Sequence, residues 1–325
     1  MKLHDHLYGS FGINEPVVID LINSAALQRL KKINQGGYSE PFLPGTRFSR
    51  YEHSIGVFLL LKKFGAPLAE QISGLLHDVS HAVFSHCIDY VFSMQKGHTQ
   101  DHQDNVMNQF IRTTDVPTIL QRHGFELDFI LDDRNFPLKE TQLPDLCADR
   151  IDYSLREIHH YRKNPTAVAT YLEALEAADN RWVFKNFSTA RQFAQDFFDL
   201  NTDYWSGPRT AAMFFTVGEY LRYAMGKKYI VADDLYTTDD AVLKKVASHH
   251  HSDSELQFLF ERMNNKIPWT VDKNATACVG CKSRVVNPLF RNGTEIKQVS
   301  DVDSDWSEVM KTALKPKQYC LRFAR

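Results

Sequence analysis

The sequence predicts a mostly α-helical protein with a small mixed α+β region at its C-terminal end. Three observations carry this: apolar stripes at helical spacing through most of the chain, proline and glycine punctuation bracketing those stripes, and a changed pattern beyond about residue 265, where short strand-like runs flank an Asn-Gly pair. The 325 residues are 43% apolar and 24% charged, which suits a globular chain of one or two domains and argues against disorder or fibre. With 38 basic and 40 acidic side chains the net charge is -2, so no global field attracts nucleic acid or anionic lipid, while a local basic pocket stays compatible with it. The apolar run Gly56 to Leu61 is far shorter than the roughly 20 residues that span a bilayer, and the first ten residues do not read as a secretory signal. A soluble, intracellular protein is expected, with no membrane partner.

The elements follow in order. Residues 15–33 predict a helix with Val17, Val18, Leu21, Ile22, Leu27 and Leu30 near one stripe, Pro16 in its first turn and Gly36-Gly37 closing it. After a proline-bearing loop, a helix over 50–64 carries His53, and Pro67 opens another that ends in His77 and Asp78. Residues 81–94 read as a short helix, a polar stretch at 95–104 leads into the next, and 131–144 is an acidic loop. Pro144 is expected to begin the strongest later helix, in which Leu146, Ile151, Leu155 and Ile158 pack while Asp149, Tyr153 and Glu157 recur at four-residue steps on another face. Residues 181–184 suggest a strand, 189–200 and 211–225 two amphipathic helices, and Phe193, Phe197 and Phe198 a core stripe. In the C-terminal region 281–290 and 317–324 read as strands and 303–314 as a helix. The division is placed between 1–240 and 241–325.

Five cysteines, at 87, 147, 278, 281 and 320, are an odd number without framework spacing, so reduced thiols are expected. Cys278 and Cys281 form one C-x-x-C, but structural zinc takes four ligands, and a turn bearing two thiols is the simpler reading. His249-His250-His251 reads as a solvated loop.

Histidine placement is more informative. Six of the fourteen, at 53, 77, 81, 86, 98 and 102, fall within fifty residues. His53, His77, Asp78 and Asp149 are candidate ligands, because imidazole nitrogens and carboxylate oxygens together suit Mn, Fe, Mg or Zn with positions left for water and substrate. The His77-Asp78 dipeptide ends an apolar helix, where an unpaired charge is costly; from the residues alone, metal binding and backbone capping both stand open. There is no P-loop, no dinucleotide fingerprint, no nucleophile elbow and no H-E-x-x-H.

The runs LQRLKKINQGGYSEPFLPGTRFSRYEHSIGV, GLLHDVSHAVFSHCIDYVF and CADRIDYSLRE, in that order and spacing, resemble the HD-domain phosphohydrolase superfamily, and within it the deoxynucleoside triphosphate triphosphohydrolase branch. The resemblance is clear over about residues 1–160 and fainter to about 240. It implies a helical HD fold in which His53, His77, Asp78 and Asp149 hold a divalent metal, Mn, Mg, Fe or Zn. It further implies catalytic roles for His86, His102 and Asp89, with His81 catalytic or orienting a ligand. By the same resemblance Arg50, Arg150 and Tyr153 touch phosphates while Gln35 and Glu157 lie near the sugar, and the protein is a homo-oligomer. Within the helix, Arg156 or Asp152 has a second reading as a surface ion pair at i, i+4. One stretch departs: where the branch carries a histidine, arginine and tyrosine cluster around the outer phosphates, this chain reads NTDYWSGPRTAAM, with Arg209 its one basic residue. The expected activity is release of triphosphate from a deoxynucleoside triphosphate. A monophosphate nucleotidase is the alternative, and a silent HD fold that binds nucleotides or single-stranded nucleic acid is a third reading.

Overall fold

The computed structural model describes residues 1–92 and 99–324, so His98 of the histidine cluster lies outside the described residues. The fold is mostly helical and centres on the Arg50–Lys63 helix, ten of whose residues are buried. Its start is fixed by a capping box: Ser49 Oγ accepts the Glu52 N–H, and the Glu52 carboxylate accepts the Ser49 N–H. That boundary sets Arg50 in the first turn and His53 at the fourth helical position, on the buried side. The Leu68–Leu76 and Ala148–His160 helices pack against it, bringing the ends that carry the functional residues together.

Several expected elements are shorter than their periodicity suggests. The 15–33 helix divides into Pro16–Ile22 and Ala25–Arg29, because buried Ser24 leaves the helical backbone to cap the second piece and the Asp115 carboxylate accepts the Ala25 and Ala26 N–H groups. Residues 81–86 are turns rather than helix, with Phe84 and Ser85 at φ of 56° and 47°, and regular helix begins only at Cys87. Pro144 does not open a helix either. It follows a cis peptide in the turn before Cys147, and the helix starts at Ala148. The loop ahead of it is pinned from inside, where buried Glu70 accepts the Leu138 and Lys139 N–H groups at 2.7 and 2.9 Å.

The C-terminal residues build two small sheets against the helices. In the first, Arg181–Phe184 pairs antiparallel with Leu175–Ala178 and parallel with Leu289–Asn292, which turns through Asn292-Gly293 into Glu295–Gln298. In the second, Lys317–Phe323 lies between Trp269–Val271 and Ala277–Cys281. The register sets Cys278 directly opposite Cys320, and the two form a disulfide, contrary to the expectation of reduced thiols throughout. Cys281, three positions on along a strand, faces the other way and is buried and free. Residues 282–288, read as strand, are irregular. The division at 240/241 falls inside the Asp239–Ala247 helix, and Val285, Val286, Phe290 and Trp306 share a core with the Arg50–Lys63 helix. No helix among the described residues is long and apolar enough to cross a membrane.

Gly56 sets how closely the central helices approach. A methyl group there would overlap Asp152 Oδ1 and Arg156 Nη2, both buried. Gly56→Ala is expected to break that ion-pair network and destabilise the fold by about 3–5 kcal/mol, read as a lowered urea midpoint; an unchanged midpoint would show that the packing has slack.

Candidate active site

Four side chains from three separated stretches meet beside the ends of these helices. His53 Nε2 lies 2.8 Å from Asp149 Oδ1 and 3.1 Å from His77 Nε2, and His77 Nε2 lies 3.5 Å from both Asp149 Oδ1 and Asp78 Oδ1. Asp78 Oδ2 is 3.8 Å from His53 Nε2. The four candidate ligands therefore converge as the sequence reading anticipates, and His53, His77 and Asp149 have the spacing of a metal-binding group.

The outer hydrogen bonds decide what the converging atoms can be. His77 Nδ1 lies 2.7 Å from the Gly74 carbonyl oxygen, which only accepts, so Nδ1 carries the proton and Nε2 presents a lone pair. His53 Nδ1 donates to Asp152 Oδ2 at 2.7 Å, leaving its own Nε2 as a second lone pair. Two imidazole lone pairs and a carboxylate oxygen then point at one another, an arrangement that repels unless a cation stands among them. A proton meets part of the demand: burial disfavours charge on His53, but the Asp149 and Asp152 hydrogen bonds outweigh it and push the imidazole up to about 9. The donor set fits a divalent metal ion with mixed nitrogen and oxygen ligands.

Asp152 and Arg156 are not a surface pair. Both are buried, because the narrow contact at Gly56 brings them into the core. Asp152 accepts from His53, from Tyr8 Oη at 2.8 Å and from Arg156 Nε at 2.8 Å, and Arg156 continues to Asp5 at 2.7 Å. This network holds the His53 ring and was missed from sequence; the i, i+4 spacing was visible, its burial was not.

A cavity of about 410 Å³ opens from the cluster. Arg50 reaches across it, donating to Asp78 Oδ2 at 2.8 Å and to Ser85 Oγ at 3.0 Å, so it orients a candidate ligand as well as facing the space. His81 Nε2 lies 3.2 Å from Asp78 Oδ1, and His81 also lines the cavity. His86 Nδ1 and Asp89 Oδ2 are 3.5 Å apart, both buried and with no hydrogen-bond partner among the described residues. That separation is long for a hydrogen bond and short enough to close on ligand binding. His102 differs from expectation: its backbone N–H donates to Asp89, while its imidazole stacks on Phe92 and meets Tyr236 Oη at 3.2 Å. Arg150 lines the cavity but pairs with Glu140 at 3.1 Å.

A second, narrower cavity of about 100 Å³ adjoins the first, and Gln35, Arg50, His86, Tyr153 and Arg284 line both. Its far end is apolar and aromatic, with Leu43, Tyr161, Tyr204, Trp205, Met213 and Phe214. Tyr153 and Glu157 face it from one side of the Ala148–His160 helix, as their four-residue step predicts. Glu157 is buried, which pushes its carboxyl up to about 8 against the Trp205 indole N–H that bonds it. Gln35 Oε1 is buried without a hydrogen-bond partner among the described residues. Lys282 and Arg284 lie outside the recognisable motifs.

A model of the HD domain matches residues 50–180. YdhJ, an uncharacterised Bacillus subtilis protein, is 39% identical over 247 residues, 75% of this chain and 74% of its own. The metal-dependent phosphohydrolase cns2 of Cordyceps militaris is 33% identical over 226 residues, 67% of this chain and 65% of its own, just under two thirds. The deoxynucleoside triphosphate triphosphohydrolase SAMHD1 of Gallus gallus is 27% identical over 205 residues, 48% of this chain and 33% of its own. The chain belongs to the HD-domain phosphohydrolase superfamily. The HD domain and the likeness to a metal-dependent phosphohydrolase support a hydrolase.

Asp152→Asn keeps the shape of the buried network while removing the charge that fixes the His53 tautomer. It is expected to weaken metal binding about 10- to 100-fold, measured by competition with a chromogenic chelator; unchanged affinity would remove Asp152 from the site.

Proposed function

We propose that this protein hydrolyses deoxynucleoside triphosphates at the α-phosphorus, releasing deoxynucleoside and triphosphate. One observation carries the reading: a polar cavity beside the candidate ligands His53, His77, Asp78 and Asp149 runs into a pocket lined by aromatic side chains. A divalent ion bound there supplies charge neutralisation at phosphoryl oxygen and activation of water.

The chain's own residues supply the rest. Arg50, held between Asp78 and Ser85, presents fixed positive charge to a phosphate. His86 sits below the ordinary imidazole range, chiefly through burial and further through Arg50 and Arg284, with Asp89 opposing. It is therefore neutral before substrate arrives. Phosphate charge entering the cavity raises its proton affinity, and Asp89, 3.5 Å away, closes to hold the cation, so His86 can donate the proton that the departing 5′-oxygen takes. The Tyr153 and Trp205 rings offer apolar faces to the nucleoside. The unpartnered Gln35 Oε1 and the Glu157 carboxyl supply acceptors for a sugar hydroxyl.

The second reading, a nucleotidase on monophosphates, draws on one observation. Arg209, the only basic residue in the 201–213 stretch, is exposed at the start of the Pro208–Gly226 helix rather than lining the cavity.

Incubation of the purified protein with each dNTP and dNMP plus Mn or Mg separates the readings. Inorganic triphosphate as product supports the first, orthophosphate from monophosphates the second, and binding without turnover contradicts both. Asp78→Ala and His53→Ala are expected to lose metal and activity together, whereas His86→Ala keeps its metal and loses turnover about 10²- to 10⁴-fold. Full metal content in Asp78→Ala would overturn the ligand assignment.

A further inference from the structure

Five basic and five acidic side chains line the cavity, but two of the basic ones stand apart from the acids. Three of its basic side chains are paired: Arg50 with Asp78 at 2.8 Å, Arg150 with Glu140 at 3.1 Å, and Lys139 with Asp133. Lys282 and Arg284 also line it, and among the described residues neither has a carboxylate within ion-pair distance. Asp104 is on the same cavity wall and attracts Lys282 only from a distance. Arg284 donates to the neutral Gln100 Oε1 at 2.8 Å, which fixes its guanidinium without cancelling its charge.

The backbone that presents them is held. Asn201 Oδ1 accepts the Arg284 N–H at 2.8 Å, Asn201 Nδ2 donates to Ser283 Oγ at 3.0 Å, and Ser283 Oγ donates to the Ala313 carbonyl at 2.6 Å. Ser283 thus faces the protein while its neighbours on either side face the cavity. Asn201 opens the NTDYWSGPRTAAM stretch, whose one basic residue is Arg209; here it buttresses two cations from elsewhere in the chain.

We propose that Lys282 and Arg284 form a clamp for the outer phosphoryl groups of a polyphosphate chain. The clamp rests on the reading of the cavity as a nucleotide-phosphate site and gives that reading a substrate class, nucleoside polyphosphates rather than monophosphates. A polyphosphate tail extending past the candidate metal ligands supplies the anionic oxygens that these two side chains lack. Their charge-assisted bonds select for chain length, since a single phosphoryl group held at Arg50 leaves the clamp unfilled.

The test is calorimetric titration of the full chain, at matched metal content, with inorganic tripolyphosphate and with orthophosphate. Lys282→Met and Arg284→Gln are each expected to weaken tripolyphosphate about tenfold or more, and the double variant further. Orthophosphate binding should change little, and Arg284→Lys should recover part of the loss. Lys282→Met removes no hydrogen bond among the described residues, so it tests the clamp even where Arg284→Gln disturbs Gln100; melting temperatures check both. Wild-type protein that ignores tripolyphosphate, a double variant that binds it unchanged, or equal losses for the two anions would each overturn the clamp. Because turnover plays no part, a protein that binds tripolyphosphate as described and hydrolyses no nucleotide would refute the proposed activity and leave the clamp standing.

Discussion

The site depends on the hydrogen bond from His53 Nδ1 to Asp152, which turns Nε2 toward the meeting point of His77 and Asp149. Everything around it serves that orientation. Arg156 and Tyr8 saturate the Asp152 carboxylate, Asp5 saturates Arg156, and Gly56 admits the whole group into the core between two helices. A buried carboxylate with such partners stays ionised, and burial alone would otherwise drive it neutral. The same logic recurs at His77, whose backbone carbonyl partner leaves only one tautomer available. Metal affinity in this fold is thus stored in bonds one layer outside the ligands.

Much of this was legible in the sequence because helical phase is local. The four-step recurrence of Asp149, Tyr153 and Glu157 places all three on the cavity side, and the helix expected over 50–64 carries His53. What could not be read has a common cause. Asp152 and Arg156 look like a surface pair because their spacing is that of surface pairs, and only the approach of another helix at Gly56 buries them. His102 follows the motif by position, yet its ring turns toward Tyr236, a residue more than a hundred positions away. The turns at 81–86 and 143–147 replaced expected helix because residues 84 and 85 take left-handed backbone and Cys147 caps the next helix extended.

The C-terminal residues illustrate the same limit from the other side. Read alone, 282–288 is a strand-like run with two cations. In the fold it is an irregular strap held by Asn201 and Ala313, and its basic residues reach the cavity that the motif-bearing helices define. The disulfide between Cys278 and Cys320 arises likewise from strand register, which joins residues 42 positions apart. The 240/241 division therefore separates two stretches of sequence that build one cavity.

Anomalous diffraction at the manganese edge, from crystals grown with that ion, tests the central claim most directly. The account predicts a single strong peak bounded by His53 Nε2, His77 Nε2, Asp78 and Asp149, with His53 Nδ1 still on Asp152. A peak elsewhere, with no ion among His53, His77 and Asp149, would contradict it.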